Sequence, residues 1–217
     1  MHIAKIGHCC FVIDLDGVRL LTDPGEYTSM GEVEKYGDFD AVLITHEHKD
    51  HLHVPSVKHL LEKNSFIKVI TNRSVAEVLH THDVQCSVIG DGETHTIKGV
   101  SISAVSGDHA PIHASVAPVE NTGFLIGESL FLPGDAWLDP RHPVDVLLLP
   151  VAGPWLSIGD AISYAQKIRP KVCIPCHDGM LQEGRMGPVH RLPKSVLEKD
   201  GIRFIVMGEG DTYEKDF

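Results

Sequence analysis

Short apolar runs alternate with polar segments along the chain, and the rhythm of each run decides its element. Residues 2–6, 10–15 and 18–22 read as strands, the last two joined by Asp16-Gly17, a dipeptide favoured in two-residue hairpins. Phe39 to Thr45 is short, apolar and rich in β-branched residues, which marks a buried central strand. The polar, glycine-containing stretch 26–38 before it reads as a loop or short helix bordering a site. Helical spacing runs from Val54 to Leu61, with Pro55 tolerated in the first turn, and again from Ser74 to His80, with a strand over 66–71 between them. Further strands are expected near 84–89, 93–97, 100–105, 122–126, 129–132, 144–149 and 171–174. Ser157 with Asp160 three residues on is a capping box that opens a helix over 157–168. Residues 179–192 read as a glycine-rich loop, 193–200 as a helix, 203–207 as a last strand and 211–217 as a tail. Strands that alternate with helices in this way predict an α/β protein.

Composition narrows the class. A chain of 217 residues with 42% hydrophobic content and no linker is expected to be one domain over 1–217 with a sizeable core. Its formal net charge of −11 opposes a tight grip on a phosphate backbone, which counts against nucleic acid as a partner and favours a small-molecule substrate. No apolar run has the length of a membrane span, and Met1 to Ile6 enters a strand rather than a signal peptide, so a cytoplasmic protein is expected. Five irregularly spaced cysteines fit a reducing compartment better than a disulfide framework. A homo-oligomer remains open.

Chemistry concentrates in Thr45-His46-Glu47-His48-Lys49-Asp50-His51, directly after the central strand. In an extended segment His46 and His48 project to the same side, which suits two ligands of one cation. Asp50 and His51 follow a turn and point elsewhere, so a second cation close to the first is the economical reading. Zinc, manganese or iron accepts such mixed imidazole and carboxylate ligands.

His46-x-His48-x-Asp50-His51 resembles the HxHxDH signature of the metallo-β-lactamase superfamily, and the likeness continues through His109, Gly134-Asp135 and Cys176-His177-Asp178. Leu20-Leu21-Thr22-Asp23-Pro24 and Leu149-Pro150-Val151-Ala152-Gly153 are most similar to the branch of ascorbate-lactone hydrolases and N-acyl-phosphatidylethanolamine phospholipases. The resemblance implies a four-layer αβ/βα sandwich with the site along one sheet edge. It also implies two divalent ions, zinc foremost: His46, His48 and His109 on one, Asp50, His51 and His177 on the other, with Asp135 and a water between. That water would cleave an ester, lactone, amide or phosphodiester, and Asp50 would orient it or carry protons. By the same resemblance His8 and Asp23 would lie beneath the metals. On the residues alone, His8 is equally an ordinary strand-end residue and Asp23 a turn former before Pro24. Where relatives carry a second glycine and a Thr-Met pair, this chain has Ala152-Gly153-Pro154-Trp155-Leu156-Ser157, so a different substrate wall is expected.

Several residues carry rival readings. His113, in a loop running to Asn121 without clear structure, competes with His109 but reads better as a loop histidine or substrate contact. His80, His82 and His95 read as surface histidines, and Asp108, Asp139 and Asp145 as turn or strand-edge residues. Trp155 either lines the pocket or packs. Arg185, His190 and Arg191 either orient an anionic group of the substrate or sit in a solvated loop. Cys173-x-x-Cys176-His177 formally matches a c-type haem attachment motif, but no export signal is seen and Cys173 falls inside a strand. A thioredoxin-like use of the same pair is also weak, because it should open a helix. Cys9 and Cys10 read as buried apolar thiols. Two other functional classes use the same ligands: a nuclease or phosphodiesterase acting on nucleic acid, which needs a basic groove, and a non-hydrolytic redox or regulatory metal protein.

Overall fold

Alternation of buried positions along each strand sets the architecture. The computed structural model describes residues 1–182 and 184–215. Residue 183 of the expected loop and residues 216 and 217 of the expected tail lie outside the described residues. In chain order the elements are β1 (His2–Gly7), β2 (Cys10–Leu15), β3 (Val18–Thr22), α1 (Met30–Val33), β4 (Ala41–Ile44), α2 (Val54–Lys63), β5 (Lys68–Thr71), α3 (Arg73–His80) and β6 (Ser87–Val88). The second half holds β7 (Thr94–Ile97), β8 (Val100–Asp108), β9 (Glu120–Ile126), β10 (Leu130–Leu132), β11 (Val146–Pro150), α4 (Ile158–Ile168), β12 (Val172–Cys176), α5 (Gly187–Leu197), β13 (Arg203–Phe204) and β14 (Thr212–Glu214).

These strands form two seven-stranded mixed sheets, ordered β14-β1-β2-β3-β4-β5-β6 and β13-β12-β11-β10-β9-β8-β7. Period-two alternation splits every central strand between two cores. Ala41 and Leu43 of β4 face a core that also takes Val146 and Leu148 of β11, so this core lies between the sheets. Val42 and Ile44 turn the other way, onto Val57 and Leu60 of α2 and Val75 and Leu79 of α3. Leu147 and Leu149 face Ala161 and Ala165 of α4 and Leu197 of α5. The result is the helix–sheet–sheet–helix sandwich expected from the resemblance. Phe11, Phe124 and Phe131 are fully buried, and truncating one of them to alanine would cost about 3–5 kcal/mol.

Local signals explain most boundaries. Ser157 and Asp160 form the capping box of α4. Asn72 caps α3 by accepting from Val75 N–H, and its amide donates to Thr45 O at 2.9 Å, tying that helix to the end of β4. The C-terminal region departs from expectation. α5 begins at Gly187, well before 193, because Pro188 sits in the first turn where a missing N–H costs nothing, and Pro193 is carried inside the helix. The last strand stops at Phe204, and Thr212–Glu214 of the expected tail instead pairs antiparallel with β1, burying Tyr213. The strand expected over 84–89 shrinks to Ser87–Val88. Among the described residues no helix is long and apolar enough to cross a membrane.

Candidate metal centre

β4 ends at Ile44, and the chain then carries His46, His48, Asp50 and His51 across the edge of the first sheet. His109 directly follows β8, Asp135 stands three residues beyond β10, and His177 directly follows β12, all on the second sheet. Docking of the sheets brings the seven together. His46, His48 and His109 each offer a nitrogen within 4.8 Å of the others, and His8, Asp50, His51 and His177 form a second such group. Asp135 reaches both. Its Oδ2 lies 2.7 Å from His177 Nε2, 3.4 Å from His109 Nε2 and 3.9 Å from His46 Nε2, and its Oδ1 lies 3.3 Å from His51 Nε2.

Hydrogen bonds beneath the centre set the tautomers. Asp23 Oδ1 accepts Thr45 N–H at 2.8 Å, and Oδ2 accepts the Thr45 hydroxyl and His51 Nδ1, both at 2.9 Å. With its hydroxyl hydrogen given to Asp23, Thr45 Oγ1 can accept from His46 Nδ1 at 3.0 Å. His109 Nδ1 donates to Ala110 O at 2.6 Å. In all three rings Nδ1 carries a proton, so in the neutral ring, the form a cation binds, the Nε2 lone pair faces the centre. Asp135 is aimed by Asn121, whose Oδ1 accepts Asp135 N–H at 3.0 Å and whose amide donates to Pro133 O at 2.9 Å. Gly134 makes that turn with φ +66°, and a Cβ there would lie 2.2 Å from Asn121 Oδ1.

Charge follows from burial and proximity. Burial, together with the neighbouring His51 ring, holds His46 well below the ordinary histidine value, and burial lowers His48 too. Burial opposes the charge on Asp135, but His51 and His177 outweigh it and hold the carboxyl well below the usual range. Asp50 is likewise held down against burial by His8, His51 and His177. His51 moves the other way: Asp135 and Asp23 overcome its burial and raise it well above the ordinary value.

The donor chemistry of these residues fits divalent cations. His51 Nε2, Asp135 Oδ1 and both ring nitrogens of His177 are buried and make no hydrogen bond of good geometry, the close approaches of Asp135 to His51 and His177 included. A desolvated, unpaired polar atom costs roughly 1–3 kcal/mol, and a cation at each group would supply the missing partner. The donors are nitrogen and oxygen. Cys9 is close to His51 and Asp135, but burial and the Cys176 thiol push its own thiol well up, which disfavours the thiolate a metal needs.

All seven residues singled out in the sequence are thus brought together, and Asp23 lies beneath them. His8, which the resemblance put beneath the metals and the residues alone left equally as a strand-end residue, faces the second group, with Nε2 3.3 Å from Asp50 Oδ2. Sequence spacing carried no signal of that, because Asp50 lies 42 residues away and Gly179 lies 171 residues away. Trp155 is buried, with ring centroids 5.6 Å from His109 and 5.8 Å from His177, so it walls the centre. His113 is exposed and bonds Ser115. His190 is a correction: it is buried in α5 and pairs with Asp178 Oδ2 at 2.9 Å, whose Oδ1 takes the buried Lys5 at 2.7 Å. An inward face of α5, not a solvated loop, holds it. Arg185 and Arg191 are exposed.

The chain has relatives among known proteins. Protein Rv0786c of Mycobacterium tuberculosis is 31% identical over 192 residues, covering 86% of this chain and 88% of the relative. A UPF0173 metal-dependent hydrolase of Nanoarchaeum equitans is 26% identical over 225 residues, covering 97% of this chain and 98% of its own. The solved structure of Igni18, a metallo hydrolase from Ignicoccus hospitalis, has the same fold, with a TM-score of 0.78 at 21% identity and 99% of both chains covered. Residues 2–177 match the model of the beta-lactamase superfamily domain, and the chain belongs to that family.

Proposed function

We propose that the chain is a metal-dependent hydrolase that holds two divalent cations, zinc foremost, with manganese or iron as the other candidates. His46, His48 and His109 would hold one, Asp50, His51 and His177 the other, and Asp135 would join them. The observation that carries this reading is the reach of Asp135 into both groups, where its buried Oδ1 makes no hydrogen bond of good geometry. When bound, such cations polarise a carbonyl or phosphoryl oxygen and bring the pKa of a water molecule from ~15.7 towards ~7.

The chain's own residues do the rest. Asp23, Thr45 and Ala110 hold three imidazoles in one tautomer before any ligand arrives, so little reorganisation accompanies reaction. Asp50 keeps a side-chain exposure of 21% where the other carboxylate, Asp135, keeps 2%, so Asp50 is the carboxylate placed to meet a substrate and to orient or take a proton. Trp155 excludes water from one side. No side-chain nucleophile is required. An ester, lactone or phosphodiester of a small molecule is the substrate range of this reading, since the acidic chain counts against a nucleic-acid polyanion.

Elemental analysis tests the proposal. We expect about two transition ions per chain, with His177→Ala losing one of them. A chelator should abolish hydrolysis of generic ester, lactone and phosphodiester substrates, and added zinc or manganese should restore it. Full hydrolysis by metal-free protein, or a covalent acyl- or phosphoryl-enzyme trapped on the chain, would overturn the reading. Iron without hydrolysis would favour the redox or regulatory class.

A further inference from the structure

Proximity alone makes His8 a fourth ligand of the second group, since its ring nitrogen lies within 4.8 Å of donors from Asp50, His51 and His177. Its hydrogen bonds say otherwise. Gly179 N–H donates to His8 Nδ1 at 3.2 Å, and a ring nitrogen that accepts carries no proton. The proton of the neutral ring is therefore on Nε2, which faces Asp50 Oδ2 at 3.3 Å. In that tautomer one lone pair is taken by a backbone amide and the other nitrogen is an N–H, so the ring has nothing left to give a cation.

The arrangement is locked by the backbone on both sides. His177 N–H donates to His8 O at 3.2 Å, so the loop after β1 and the loop after β12 are stitched together next to the centre. Gly179 approaches so closely that a Cβ on it would lie 3.0 Å from His8 Cβ and 3.1 Å from His8 N. His8 itself sits at φ +41°, a left-handed conformation that costs a residue with a Cβ about 1–3 kcal/mol and persists only where the surroundings enforce it. The His177 ring at 4.2 Å between centroids and the edge of Tyr27 at 5.3 Å close the remaining space.

We propose that His8 is a positioning residue and not a ligand: it donates Nε2–H to Asp50 and fixes that carboxylate for the second cation and the reacting groups. This rests on the metal-dependent reading above.

The test uses the whole chain, labelled at histidine nitrogens and loaded with NMR-active cadmium. His51 and His177 should show scalar coupling to cadmium, whereas His8 should show none, with a protonated Nε2 and an unprotonated, hydrogen-bonded Nδ1. His8→Leu should still take up two cadmium ions per chain at saturation, the second bound roughly 10–100-fold more weakly. His8→Gln, whose amide nitrogen can reach Asp50, should recover most of that loss. Cadmium coupling at His8, a stoichiometry of one in His8→Leu, or a Gln variant no better than Leu would overturn the proposal. If His8→Leu does not fold, the wild-type spectrum decides alone. A wild type that binds no cation would overturn the hydrolase reading as well, which separates the two failures.

Discussion

Asp23 shows how much one carboxylate can organise. It is fully buried and accepts from Thr45 N–H, the Thr45 hydroxyl and His51 Nδ1, so it fixes the backbone at the end of β4 and the orientation of the His51 ring at once. Asp23→Asn keeps the shape but replaces one acceptor by a donor facing another donor. We expect it to cost about 1–3 kcal/mol of stability and to weaken the second cation roughly 10–100-fold, as read by chemical denaturation and by chelator competition. Wild-type affinity in that variant would refute the role. The clustering of His46, His48, Asp50 and His51 was legible in the sequence because they fall within six consecutive positions after a recognisable strand. The resemblance put His8 beneath the metals, but its tautomer was not legible, because the amide that sets it belongs to Gly179, 171 residues away.

The cysteines of β12 decide a question at the scale of elements. Cys173 and Cys176 are three apart on a strand, so they point to opposite faces: Cys176 enters the core between the sheets, and Cys173 the core under α4 and α5. Neither haem attachment nor a disulfide between them is compatible with that placement, and burial pushes the Cys173 thiol well up. A thiol reagent should label the half-buried Cys86 first and reach Cys173 and Cys176 only on unfolding; rapid labelling of either in folded protein would contradict the strand assignment. Continuous apolar runs made the inner strands readable in advance. The start of α5 was hidden behind glycines and prolines that locally argue for a loop, and its helical state comes from burying His190, Pro193 and Leu197 on one face. β14 was hidden for a related reason, since three residues show no periodicity until β1 gives them a partner.

Across the whole molecule the two sheets are also fastened away from the centre. Lys215, directly after β14 of the first sheet, reaches Asp145 at the start of β11 at 2.6 Å, while Lys171 at 3.0 Å and Ser129 at 3.1 Å hold the same carboxylate. Burial opposes the charge on Asp145, but these partners bring its pKa from 3.8 down to about 2. A folded value below the unfolded one stabilises at pH above the unfolded value and is lost as pH falls towards the folded one. Asp145→Asn should therefore lower stability by about 1 kcal/mol near neutral pH, given partial exposure, and the difference should vanish between about pH 4 and about pH 2. A constant difference across that range would exclude the ion pairs as its source. Sheet packing itself was expected partly from the alternating elements and chiefly from the family resemblance, but this clasp joins a segment that reads as a tail to a strand edge, which no local pattern reveals.

The pairing order described above repeats itself. Three antiparallel strands lead into three parallel ones in each sheet, with β1–β3 answered by β8–β10, β4–β6 by β11–β13, and α2 and α3 by α4 and α5. Even the edges match, β14 lying antiparallel to β1 as β7 lies to β8. Under that correspondence His8 after β1 is the counterpart of His109 after β8, and Asp23 after β3 is the counterpart of Asp135 beyond β10. The chain is thus two renderings of one motif whose equivalent side chains have parted ways. One half presents a histidine and an aspartate to the centre, and the other keeps the same pair behind it as the frame.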